Sequence, residues 1–190
     1  MAHRSRRKLS LASVIFIILL TAIVSLANKN DPGSVLSATQ PGLYRIVEVY
    51  DGDTIAVNMN GKREKVRMIG VDTPETHDPR KAVQCFGENA SNYTHKLLQG
   101  KEVRLEADPT NQNRDRYDRL LRYVYLPDNT LVNAELIRQG YGFAYTSFPF
   151  QKSDEFKELQ RQAQETNAGL WGGCTPTKND FGGFTSNDAN

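Results

Sequence analysis

Three apolar-alternating runs follow one another between Tyr44 and Val71, and two sharp turn signals separate them. "YRIVEVYD" (44–51) passes through "DGDT" into "TIAVNM" (54–59), and Asn60-Gly61 joins that run to "EKVRMIGV" (64–71). Alternation of period two marks strands with one buried face, and Asn-Gly between two such runs predicts a tight antiparallel hairpin. A three-stranded meander cannot bury its apolar face alone, so the rest of the chain has to cover it. "KEVRLEA" (101–107) and "LLRYVYL" (120–126) read as two further strands. Helices are expected over 88–98, over "LVNAELIRQG" up to Gly140, and over 153–169, where Ser153 would cap and Gly169 would stop the helix. Five strands with interspersed helices give an α+β chain, expected to form a small closed or partly open barrel of the OB type. An α+β sandwich fits the same string.

The first residues follow another logic. "MAHRSRRK" is basic, and Leu9 to Ala27 carries no charge. A basic flank followed by an apolar segment is the pattern of an export signal, with Ser25 and Ala27 suited to a cleavage point. The apolar segment also approaches the roughly 20 residues that span a bilayer, so an uncleaved anchor through residues 9–27 is the competing expectation. Either outcome places the remainder outside the cytoplasm, secreted or membrane-anchored. A linker is expected over 28–43, the globular domain over 44–174, and a disordered tail over 175–190 because Gly, Asn, Asp and Thr crowd it.

Export changes the charge balance. The chain has 24 basic and 22 acidic residues, but Arg4, Arg6, Arg7 and Lys8 lie in the leader, which leaves 20 against 22. A purely electrostatic polyanion binder is disfavoured, and any grip on a polyanion must come from local clustering.

"VRMIGVDTPE" (66–75) is the chemically informative stretch. Arg67 interrupts an apolar run and needs a partner if it is buried. Asp53, where the first strand hands over to the second, and Asp72, at the end of the third, can meet at one rim. Two carboxylates plus the Thr73 carbonyl suit a hard divalent cation such as Ca²⁺. Glu75, beyond Pro74, could orient or deprotonate a water, and the guanidinium groups of Arg67 and Arg119 match phosphate oxygens. Each residue also has a plain reading: turn residue for Asp53, Asx-turn for Asp72, solvated loop for Glu75, structural ion pair for Arg67, charged hairpin for Arg119.

The order of these elements is more telling than any one of them. "DGDT", "VRMIGVDTPE", "DRYDRLLRYVY", "LVNAELIRQG" and "GLWG" together resemble the staphylococcal nuclease (thermonuclease) family from about Tyr44 to Trp171. The resemblance implies an OB-like five-stranded barrel with three helices and Ca²⁺-dependent hydrolysis of DNA and RNA to 3′-phosphates. It further implies metal ligation by Asp53, Asp72 and the Thr73 carbonyl, water activation by Glu75, and phosphate binding by Arg67 and Arg119. Arg116, Tyr117 and Tyr145 are the expected substrate contacts, and a monomer with no protein partner is the expected state. A barrel of the same type that binds nucleic acid or protein without cutting is the alternative. Two departures stand out. Asp118 occupies a position where the family often has glycine, beside Arg119. Ser147 falls where a second tyrosine would be expected, leaving Phe148 or Phe150 as substitutes.

Cys85 and Cys174 have no partners at metal-ligand spacing, so zinc is disfavoured. Outside the cytoplasm a disulfide between them is expected, with two free thiols as the other outcome. His3, His77 and His95 do not form a catalytic set, and His95 is expected to be exposed on its helix.

Overall fold

The hairpin signals at 51–54 and 60–61 generate the first three strands of a barrel: β1 (Leu43–Val49), β2 (Thr54–Met59) and β3 (Lys62–Met68). The computed structural model describes residues 42–76, 82–180 and 183–189, which fall in one unit, Gly42–Asn190. The leader, most of the linker and His77 lie outside the described residues. Among the described residues no helix is long and apolar enough to cross a membrane.

β5 (Glu102–Glu106) and β6 (Leu120–Tyr125) complete a closed barrel in the order β1-β2-β3-β6-β5. Closure comes from parallel pairing of β3 with β6 and antiparallel pairing of β5 with β1. Ile55, Val57, Val66, Met68, Val103 and Val124 point inward and are essentially fully buried. Each such side chain contributes roughly 1.5–3 kcal/mol relative to exposure. α1 (Gly87–Leu98), α2 (Val132–Arg138) and α3 (Ser153–Glu165) bury Leu98, Leu136, Ile137 and Phe156 in the same core. The expected OB-like five-stranded barrel with three helices is what the chain forms. A helical turn, α4 (Leu170–Gly173), follows.

Four details differ from expectation. The third strand does not run unbroken to Val71: β3 ends at Met68, and Gly70 sits at φ +73°. A Cβ there would lie 2.6 Å from the Phe150 ring, so both the turn and the packing call for glycine. Val71 and Asp72 then form β4, paired with β7 (Phe143–Ala144) instead of with the barrel. Ser153 is the first helical residue and makes no capping hydrogen bond; Lys152 holds the cap position, and the helix ends at Glu165. His95 is half-buried. The segment after Cys174, expected to be disordered, forms a hairpin of β8 (Thr177–Lys178) and β9 (Phe184–Thr185), and Phe184 packs on Phe143 and Trp171. Composition pointed to disorder because the anchoring partners of this segment are distant in sequence.

Candidate active site

The kink at Gly70 decides what faces the rim. It turns Asp72 and Thr73 away from the barrel wall and toward the "DGD" turn between β1 and β2. The two segments approach closely: a Cβ on Gly52 would lie 2.7 Å from the Thr73 side chain. Thr94 on α1 secures the turn from below by donating to the Gly52 carbonyl at 2.8 Å. Asp53 is only 5% exposed, and its Oδ2 accepts from the Thr73 backbone N–H at 2.8 Å and the Thr73 hydroxyl at 3.1 Å. Its Oδ1 accepts from the Thr54 hydroxyl.

Arg67 projects from β3 between the two aspartates. One terminal nitrogen lies 2.8 Å from Asp53 Oδ2, and the other donates to Asp72 Oδ1 at 2.8 Å. The first also donates to the Val71 carbonyl at 2.7 Å. This answers why a cation enters an apolar strand: its charge is matched at the rim by two carboxylates. Burial alone would lower the Arg67 pKa, but the charges of Asp53, Asp72 and Asp51 override it and raise the value. Asp51 feels the opposite effect. Burial and the neighbouring Asp53 carboxylate push it up to about 7.

Arg119 reaches the same cleft from the loop between β5 and β6. Its backbone N–H and its Nε donate to the two oxygens of Asp115 at 2.9 and 2.7 Å. Burial tends to raise the Asp115 pKa, but the hydrogen bonds from Arg119 prevail and lower it. Asp118 occupies a left-handed conformation at φ +62°, where glycine is favoured and aspartate is among the tolerated residues. Its side chain is 88% exposed and faces Arg114, with an Nε–Oδ1 distance of 3.5 Å. The carboxylate in contact with Arg119 is therefore that of Asp115, within the same charged hairpin.

A cleft of about 610 Å³ joins these parts, lined among others by Arg67, Asp72, Arg119, Arg116, Tyr117 and Tyr145. Arg114 also lines it, giving the local basic clustering that the overall charge lacks. Tyr117 is 63% exposed, with the guanidinium groups of Arg116 and Arg119 4.8 and 5.3 Å from its ring centre. Tyr145 donates its backbone N–H to the Gly70 carbonyl, and its ring lies 5.9 Å from Phe148. Of the two phenylalanines near Ser147, Phe148 is exposed at the cleft, whereas Phe150 is buried against Phe156.

Asp53, Thr73 and Glu75 are not among the residues lining that cleft. Glu75 lies just past the rim, half-buried, with its N–H donating to Gln84 Oε1 at 2.8 Å. Its own Oε1 accepts from the Thr76 N–H at 2.8 Å. Gln84, unremarkable in the sequence, is thus a direct partner of Glu75. Among the described residues no three His, Cys, Asp or Glu side chains gather as a metal-binding cluster. The donor chemistry nevertheless fits a hard cation. Asp53 and Asp72 present carboxylate oxygens to one shared positive group, and few protein ligands leave room for water and substrate oxygens. The structure also joins Cys85 to Cys174 in a disulfide, with the two Cα atoms 6.0 Å apart.

A family model described as "Staphylococcal nuclease homologue" matches residues 65–173. The chain belongs to the staphylococcal nuclease family. It is 41% identical over 137 residues to a thermonuclease of Staphylococcus hyicus, covering 72% of this chain and 79% of that protein. A thermonuclease of Staphylococcus intermedius is 40% identical over 67% of this chain and 75% of its own length. The endonuclease YncB of Bacillus subtilis is 40% identical over 73% of this chain and 67% of its own.

Proposed function

We propose that this chain is an exported, Ca²⁺-dependent endonuclease that hydrolyses phosphodiester bonds of DNA and RNA with little sequence preference. The observation that carries the reading is the convergence of Asp53 and Asp72 on Arg67, with Arg119 in the same aromatic-lined cleft. Membership of the family, with relatives named thermonuclease and endonuclease, supports it.

Asp53, Asp72 and the Thr73 carbonyl would hold Ca²⁺, which supplies positive charge where the phosphate docks. Arg67 and Arg119 donate to the phosphate oxygens, and their hydrogen bonds strengthen as negative charge grows toward the transition state. Glu75 orients the attacking water and takes its proton. The P–O bond to the 5′-oxygen breaks, that oxygen picks up a proton, and the phosphate stays on the 3′ side. Tyr117, Tyr145 and Arg116 contact the flanking nucleotides, and Phe148 is placed to stack where Ser147 cannot. Nothing in this scheme reads base edges, which accounts for the low sequence preference.

Export rests on the basic flank and apolar residues 9–27, either cleaved or kept as a membrane anchor. The Cys85–Cys174 disulfide fits an oxidising compartment. A monomer is the proposed state. Incubation with single-stranded DNA and Ca²⁺ tests the reading: cleavage is expected, lost on chelation, with 3′-phosphate ends. Binding without chelator-sensitive cleavage would leave the non-catalytic barrel in its place.

A further inference from the structure

The segment after Cys174 lies beyond the family match, which ends at residue 173, yet it packs against Gln84, a direct partner of the residue proposed to activate water. Its attachment runs along residues 83–85. The Cys85 N–H donates to the Asn187 carbonyl at 2.7 Å, and the Ser186 hydroxyl donates to the Cys85 carbonyl at 2.9 Å. The Ala189 N–H donates to the Val83 carbonyl at 2.8 Å, and Gln84 pairs with Asp188 as an antiparallel bridge. Phe184 inserts beside Phe143 and Trp171, with ring centres 6.1 and 5.1 Å away. The disulfide ties the start of the segment to the same strip, at Cys85.

Gln84 stands between this segment and Glu75, and it uses every polar group it has. Its Nε2 donates to the Thr185 hydroxyl at 3.1 Å and the Ser186 carbonyl at 3.4 Å. Its Oε1 accepts the Glu75 N–H at 2.8 Å, and its own N–H donates to the Glu75 carbonyl at 2.9 Å. An amide side chain held at its nitrogen end presents its oxygen in one direction only. We propose that residues 184–189 clamp the segment carrying Glu75, and that Gln84 is the positioning residue that transmits this hold to the Glu75 backbone. The proposal rests on the reading of Glu75 as the water-orienting carboxylate. Small displacements of such a group cost turnover steeply, while substrate binding in the cleft depends on other residues.

The test compares full-length protein with Gln84→Ala, a chain ended after Cys174, the two combined, and Glu75→Gln. Hydrolysis of single-stranded DNA with Ca²⁺ gives kcat and KM, and amide hydrogen exchange reports on Glu75 and Thr76 without reference to activity. Gln84→Ala and the shortened chain are each expected to lower kcat about tenfold and leave KM within about twofold. Both should speed exchange at the Glu75 amide, and the combination should lose no more than either alone. If Glu75→Gln abolishes turnover but Gln84→Ala and the shortened chain do not lower it, the clamp is wrong and the Glu75 reading stands. Losses that multiply would likewise overturn it, because Gln84 and the segment would then act separately. If Glu75→Gln turns over normally, the Glu75 reading fails and the clamp with it. Should Gln84→Ala not fold, the shortened chain alone decides through its kcat and exchange.

Discussion

The two halves of the cleft hold their arginines by different means. Arg67 lies in β3, 14% exposed in its side chain, between carboxylates contributed by the β1–β2 turn and by β4. Arg119 lies in a loop, 25% exposed, and its main partner, Asp115, is four residues away in the same loop. Loss of the first contact uncovers buried charge in the barrel, whereas loss of the second disturbs a loop that can relax into water. One half couples the site to the stability of the fold. At Arg119 the other half is expected to vary with less consequence for folding.

Substituting each arginine by methionine is the strongest way to break that contrast. Arg67→Met leaves Asp53 and Asp72 facing each other without their shared cation, and a loss of about 3 kcal/mol is expected from chemical denaturation. Arg119→Met should cost below about 1 kcal/mol. Both should lower kcat/KM for DNA, by about 100-fold or more. Equal stability losses would erase the distinction between the halves.

The loop half has a buried root of its own, at Asp108. This carboxylate is 4% exposed and accepts hydrogen bonds from the Tyr123 hydroxyl at 2.6 Å, the Gln151 N–H at 2.7 Å and the Thr110 N–H at 2.8 Å. Burial tends to raise its pKa, but the hydrogen bonds from Thr110 and Tyr123 prevail and hold it below the ordinary 3.8. The folded value lies below the unfolded one, so its contribution is present above about pH 4 and is lost as pH falls through the folded value. Asp108→Asn should therefore cost about 1–3 kcal/mol at neutral pH. It should also flatten the acid limb of the stability curve, measured by denaturation between neutral and acid pH.

Asp118 provides the smallest and sharpest test. Its backbone conformation suits glycine and its carboxylate faces Arg114. Asp118→Gly should change stability by no more than about 1 kcal/mol and leave KM for DNA within about twofold. A large gain in affinity would mean that the Asp118 charge does weaken Arg119.

The barrel was legible because its information is local: alternation in 44–59 and the Asn60-Gly61 turn each specify a neighbour in sequence. The candidate site stood out through the order of its motifs, since Asp53, Arg67 and Asp72 each had a plain reading when taken singly. What escaped was nonlocal or looked ordinary. The close packing of Phe150 that calls for glycine at the Gly70 break comes from far along the chain. Asp115 was hidden among alternating charges, Thr94 on a helix face, and Gln84 carried no pattern at all. The order of the last residues depends on the Phe184 contacts and on pairing with residues 83–85, partners that composition cannot reveal.

In the proposed mechanism the work at the rim is divided: Arg67 and Arg119 bind phosphate, and Glu75 acts on the water. Parallel measurement of single-stranded DNA turnover and of affinity for a nucleotide inhibitor in Glu75→Gln tests it most directly. The account predicts a fall in kcat of at least about 100-fold with affinity unchanged within about threefold. Equal losses in turnover and affinity would contradict it and make Glu75 a binding residue.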